Sequence, residues 1–272
     1  MNKNLTYLLA ASLLVLGLAV GCSKNPATGK LELMMVSDAQ EIAIGNDQAG
    51  KFEGRFGGRH PDTEVQAYVL DIGMRMAAVC DRPMPYDFAV LSSKTPNAFA
   101  LPGGRVYITA GLLKELKSEE ELAAVLAHEI THVCARHAVK GLQRELGSDI
   151  AVQGVGFVPF GGYIGLAVGV GTSLGKTLGG TAFSRRDEYQ ADEIGMRYMK
   201  RAGFNPRGMP AMLASLGSIP EAATVRVFEV LSTHPQAHKR IVHSKEIVES
   251  QYADSPPLAA PDQRWAAGLL KD

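Results

Sequence analysis

The sequence predicts an α+β fold, mainly helical, with a small β-sheet or hairpin beside one histidine-bearing helix. Three observations predict it. Helix starts recur as Ser37-Asp38-Ala39-Gln40, Ser118 with Glu121, and Ser184-Arg185-Arg186-Asp187, each a hydroxyl followed three residues on by a side chain that can reciprocate. That pattern satisfies the orphan N–H groups of a first helical turn. Between residues 86 and 108 the chain reads instead as strands, with Pro102-Gly103-Gly104 as the reversal of a hairpin. Lastly, Leu122, Val125, Leu126, Ile130 and Val133 recur at helical spacing around His128-Glu129-Ile130-Thr131-His132.

Taken in order, residues 1–21 read as a signal peptide. Lys3 gives a positive start, Leu5 to Val20 is apolar, and Ala19-Val20-Gly21-Cys22 ends the run. The ending resembles a bacterial lipoprotein signal, which implies cleavage before Cys22 and acylation of that residue. Ordinary secretion and a retained anchor are the alternatives, although the run is short for a membrane span. Ser23 after the cysteine implies sorting to the outer membrane, with the protein on its periplasmic face. Residues 22–36 are then a lipid-anchored leader, a tether that joins the domain.

Residues 37–252 read as one domain. A helix from Ser37 to about Phe56 ends at Gly57-Gly58, and a second runs from Pro61 until just before Arg82-Pro83. Tyr86 to Leu91 is a strand, Asn97 to Leu101 and Arg105 to Ile108 form the hairpin, and Thr109 to Leu116 is a short helix. The histidine-bearing helix follows, to about Leu142. From Ile150 to Gly175 there is no Asp, Glu, Lys or Arg, and glycine recurs. A buried or groove-lining helical pair with a mobile turn, a membrane-dipping or disordered active-site flap, and a true span all remain open for it. Helices then run from Ser184 to Arg201, Arg207 to Leu216 and Gln236 to Tyr252, and residues 253–272, with Trp265, form a tail packed on the domain.

Lys+Arg and Asp+Glu balance at 28 each, and no basic cluster tracks a phosphate backbone, so nucleic acid is excluded as a partner. Cys80 and Cys134 are left for one disulfide or for two buried thiols.

The chemistry follows from spacing. His128 and His132 sit one helical turn apart on one face, where both imidazoles can bind one metal ion; Glu129 lies beside them, placed to deprotonate a metal-bound water. A catalytic site wants a third protein ligand. Glu188 is the best candidate, with Asp192 one turn below it to receive the free ring N–H of a ligand histidine. An edge strand beside the metal, favoured at Asn97, Ala98, Phe99, Ala100 and Leu101, would hydrogen-bond an extended peptide; a purely structural sheet is the alternative.

His128-Glu-x-x-His132-x-x-x-Arg136-His137 followed by Glu188-x-x-x-Asp192 resembles the M48 group of zinc endopeptidases. The resemblance extends to Asn25-Pro26-x-Thr28-Gly29, Asn97-Ala98-Phe99-Ala100-Leu101-Pro102-Gly103-Gly104, Thr109-x-Gly111-Leu112-Leu113, and Ser232-Thr233-His234-Pro235 with Arg240. It implies a zincin-like fold and one Zn2+ per chain on His128, His132 and Glu188, with Glu129 as the base. His234 is expected over the cleft, as an oxyanion donor or as an occupant of the open metal position, with a structural loop histidine as the alternative. Arg240 is expected to assist there, by holding a charged oxygen or orienting His234. Arg136 is expected to pair with Asp192 or another carboxylate, and His137 to be structural.

The expected function is endoproteolysis of unfolded or misfolded envelope proteins, with further envelope proteins as possible partners. The alternative is a catalytically silent chaperone or assembly factor for outer-membrane proteins that uses the same cleft.

Overall fold

The computed structural model describes residues 22–34, 36–144, 183–219 and 237–258. The uncharged stretch 150–175, His234 and Trp265 lie outside these. Among the described residues no helix is long and apolar enough to cross a membrane.

The chain enters through a two-stranded antiparallel hairpin, β1 (Cys22–Lys24) and β2 (Leu31–Leu33). Here the structure departs from a loose tether. Asn25 is buried and its Oδ1 accepts from the N–H groups of Ala27 and Thr28, while Gly29 takes φ 70° to close the turn. The Asn25 amide reaches away to donate to the carbonyl of Ala135 at 3.0 Å. The Asn-Pro-x-Thr-Gly run is thus a turn that clips the leader to the end of the histidine-bearing helix.

α1 (Asp38–Arg55) starts with the reciprocal cap read from sequence: Gln40 N–H donates to Ser37 Oγ, and Ser37 N–H to Gln40 Oε1. α2 (Thr63–Ala77) is capped by Asp62. β3 (Asp87–Leu91), β4 (Ala98–Leu101) and β5 (Arg105–Thr109) form one sheet in the order β3-β5-β4, parallel between β3 and β5 and antiparallel across the hairpin. The hairpin turn needs glycine, since Gly103 and Gly104 lie at φ 85° and 104°.

Side chains alternate across the sheet with period two. Ala89, Leu91, Phe99, Leu101 and Tyr107 meet Phe52 and Phe56 of α1. Phe88, Val90, Ala98, Ala100, Val106 and Ile108 face the larger core. That core is built on α4 (Glu119–Cys134), which follows the short α3 (Ala110–Glu115) and packs against α2, β4, α5 (Arg185–Arg201) and α6 (Gly208–Gly217). α7 (Ala237–Gln251) closes over α6 and α5. Leu122, Leu126 and Ile130 of α4 are fully buried, and truncating any one to alanine should cost about 2–5 kcal/mol.

The start of α4 differs in detail from the reciprocal cap. Ser118 Oγ accepts from Glu121 N–H, but the Glu121 carboxylate takes the N–H of Lys117 instead of Ser118. Its end differs more. The helix expected to reach about Leu142 stops at Cys134, and Arg136 takes a left-handed φ of 59° before helical backbone resumes over 137–144. Such a φ is unfavourable for a side-chain-bearing residue. Here it is over-determined: the guanidinium pairs with Glu41 and donates to the carbonyl of Val36, both at the start of α1. Cys80 and Cys134 carry free thiols that share the phenol of Tyr86 at 3.5 and 3.2 Å.

Candidate metal centre

α4 and α5 cross so that His128, His132 and Glu188 meet, with potential ligand atoms all within 4.8 Å of one another. α5 presents Gly195 to α4 and α6: a Cβ there would lie 2.9 Å from Met209 Cε and in van der Waals contact, at 3.4 Å, with backbone atoms of Ala127 and His128. Glu188 and Asp192 precede that contact on α5 and are held over the two histidines.

The rings are oriented from behind. His128 Nδ1 lies 3.0 Å from Asp192 Oδ1. A carboxylate only accepts, so Nδ1 carries the proton and Nε2 presents a lone pair. His132 Nδ1 lies 3.0 Å from His137 Nδ1, and His137 Nε2 lies 3.0 Å from Gln190 Oε1 and 3.6 Å from Asp187 Oδ1. The Gln190 acceptor fixes the proton at His137 Nε2, with the Asp187 charge nearby favouring it. Burial, outweighing the Asp187 charge, pushes the His137 pKa down to about 4, so this imidazole is neutral and its Nδ1 accepts. His132 Nδ1 therefore donates, and its Nε2 also presents a lone pair. The two Nε2 atoms stand 3.0 Å apart, each 3.6 Å from a Glu188 oxygen. Two imidazole lone pairs and a carboxylate in one spot form the donor set of a divalent metal site, and the residues fit that group.

Arg240 stands behind the set. Its Nε and Nη2 donate to Asp192 at 2.8 and 2.6 Å, and its Nη1 lies 2.5 Å from Glu188 Oε2. All three residues are buried. Burial alone would raise the Asp192 pKa, but the Arg240 charge and hydrogen bonds outweigh it and keep the carboxyl ionised. Glu129 is buried on the next position of α4, within the electrostatic reach of Arg240, and with His128 it lines a small apolar pocket shared with Ala98, Leu112, Val125 and Met212.

The remaining sequence candidates divide. Arg136 does not pair with Asp192; it pairs with Glu41, with Asp38 at 3.6 Å, because the left-handed turn swings it away from α5 toward α1. His137, read as structural, is the residue that orients His132. His234 lies outside the described residues. Among the described residues β4 is an edge of the sheet, since it pairs there with β5 alone, while the far edge of β3 is taken up by residues 58–60 and by the Gln66 amide. Asn97 turns its carbonyl toward Thr109 of β5, which by alternation turns the backbone groups of Ala98 and Ala100 outward. Asn97, Ala98, Phe99 and Ala100 are buried beside α4.

Two contributors were not read from sequence. Gln190 sits mid-helix with nothing local to separate it from a surface glutamine. Phe183 precedes the Ser184 cap and lays its ring 4.1 Å from that of His132.

Residues 63–248 match the model of a family described as peptidase family M48. Similar proteins include the beta-barrel assembly-enhancing protease of Escherichia coli K12, 28% identical over 256 residues that make up 90% of this chain and 52% of that relative. The mitochondrial metalloendopeptidase OMA1 of Schizosaccharomyces pombe is 32% identical over 67% of this chain and 52% of its own. The metalloprotease LoiP of Escherichia coli K12 is 30% identical over 60% of this chain and 62% of its own. The chain spans about half the length of the first two.

Proposed function

The chain belongs to peptidase family M48, and from that premise we propose that it is a zinc-dependent endopeptidase for unfolded or misfolded polypeptide of the bacterial envelope. The observation that carries the reading is the convergence of His128, His132 and Glu188 from two helices, with Glu129 next to the first ligand. Zinc, when bound, supplies a Lewis acid that acidifies water and polarises a carbonyl.

The chain's own residues do the rest. Glu129 takes a proton from the attacking water and returns it to the leaving amine. Asp192 and His137 hold the two imidazoles in the tautomers that leave Nε2 available. Arg240 keeps Asp192 ionised and holds Glu188 and Asp192 in place, as a positioning residue. His234 is retained as a candidate for oxyanion stabilisation or for latency.

Substrate is proposed to add as a strand along Asn97, Ala98, Phe99 and Ala100. The outward backbone groups of β4 support this, as does Asn97 Oδ1, a buried acceptor with no hydrogen-bond partner among the described residues. Because these residues are buried, the edge must open for a peptide to enter. Attachment through lipid on Cys22 would place the enzyme on the periplasmic face of the outer membrane.

The test is cleavage of casein by the wild type, its loss in Glu129→Gln with zinc still bound, and loss of both zinc and cleavage in His128→Ala. Casein binding without chelator-sensitive cleavage by the wild type would refute the protease reading in favour of a silent chaperone.

A further inference from the structure

The leader hairpin is built inside out. β2 reads Leu31-Glu32-Leu33, and strand alternation sends the leucines to one side and the glutamate to the other. Glu32 is the residue that faces the domain: its Oε2 accepts from the Asn25 amide at 2.8 Å and its Oε1 pairs with Lys140 at 3.2 Å. Leu31 and Leu33 face out and are 78% and 48% exposed. A hairpin designed for water places its leucines inward and its carboxylate outward. Across the ladder, Leu31 is paired with Lys24 and Leu33 with Cys22, and Lys24 and Lys30 are exposed.

We propose that the outer face of β1–β2 is a membrane-docking surface, with Leu31 and Leu33 in the interfacial layer of an anionic bilayer and Lys24 and Lys30 among its headgroups. The inference rests on the reading that Cys22 carries the lipid. Cys22 lies within β1, so no spacer separates an acylated residue from the folded chain. Opposed Cα atoms on antiparallel strands stand only about 5 Å apart, which puts Leu33 at the depth where acyl chains enter. Two leucines are too small a patch for a stable protein partner. They are enough to hold a protein anchored at one residue in a single orientation. The hairpin is in turn fastened to the catalytic region, through Asn25 to Ala135, Lys140 to Glu32, and Gln143 to the carbonyl of Leu33 at 3.0 Å. Docking therefore fixes the height and tilt of α4 above the bilayer.

The experiment uses the full chain, made in a bacterium that acylates lipoproteins and reconstituted in vesicles of phosphatidylethanolamine and phosphatidylglycerol. Leu31→Trp, in a Trp265→Phe background, should show blue-shifted emission that is quenched when the lipids carry brominated acyl chains. Leu33→Trp provides a second probe at another exposed position. Unquenched, water-like emission from both tryptophans on an acylated, vesicle-bound protein overturns the docking surface and leaves the anchor standing. Mass spectrometry of residue 22 tests the anchor separately. If Cys22 is not acylated, the docking surface falls together with the anchor on which it rests.

Discussion

Replacing Arg240 with methionine keeps most of the side chain's bulk and removes its charge. In the wild type the guanidinium holds two carboxylates, Glu188 at 1% and Asp192 at 0% exposure, both in direct contact with it. Removing one partner from a buried ionic cluster costs about 3–5 kcal/mol, because the remaining charges are left uncompensated. For a chain of this size that is a loss of roughly 6–20 °C in melting temperature. The same carboxylates face the metal site, so a bound dication replaces much of the lost charge and the deficit should shrink. Loss of second-sphere support opposes this and weakens metal binding by about 10–100-fold, or roughly 1.4–2.7 kcal/mol. The charge effect is the larger, so zinc should bind Arg240→Met more tightly than the wild type, by up to about tenfold. Urea unfolding with a chelator and with saturating zinc measures the two deficits, and competition against a chromophoric chelator measures the affinity independently. By the thermodynamic cycle the three numbers must close. A chelated deficit below about 1 kcal/mol, or equal deficits with and without zinc, would refute the argument.

Three further perturbations follow from the same geometry. His137→Ala should lower zinc affinity about 10–100-fold by releasing the His132 ring, read by chelator competition; unchanged affinity would remove His137 from the site. Gly195→Val should crowd Met209 and, through its added methyl groups, the Ala127–His128 backbone, cost about 1–3 kcal/mol on urea unfolding, and weaken zinc binding along with stability. Retained affinity in that variant would show that the helix crossing does not set the ligand distance. Burial raises the Asp81 pKa, but Arg201 and Arg197 outweigh it and the net shift is downward. Its contribution is therefore complete above the unfolded carboxyl value of about 3.9 and disappears as the pH falls through the lower folded value. Wild type should exceed Asp81→Asn in stability by a constant amount from about pH 5 to 8, and the gap should close in acid.

Much of this was legible in the sequence because its causes are local. Ser37 with Gln40 and Ser184 with Asp187 cap their helices reciprocally, since three-residue spacing alone determines whether the bonds can form. Pro102-Gly103-Gly104 turns the hairpin because only glycine takes the required φ cheaply. His128, His132, Glu188 and Asp192 could be paired from helical spacing on two helices. What was hidden depends on contacts distant in the chain. Nothing near Arg136 marks a left-handed residue; Glu41 and Val36, far upstream, hold it there. The parallel pairing of β3 with β5 skips the strand between them in sequence. The leader's fold was hidden because Asn25 finds its partner at Ala135.

Had α4 continued past Cys134, residue 137 would have stood about 140° around the axis from residue 132, out of touch with it. The bend at Arg136 folds the chain back underneath, and the backing imidazole reaches the metal-facing one only because of it. The grip that holds the bend belongs to the first turn of α1, which continues directly from the leader. The leader and the metal centre are mechanically in series: a pull on the chain where it leaves the hairpin passes through Glu41, Arg136 and His137 to the ring of His132.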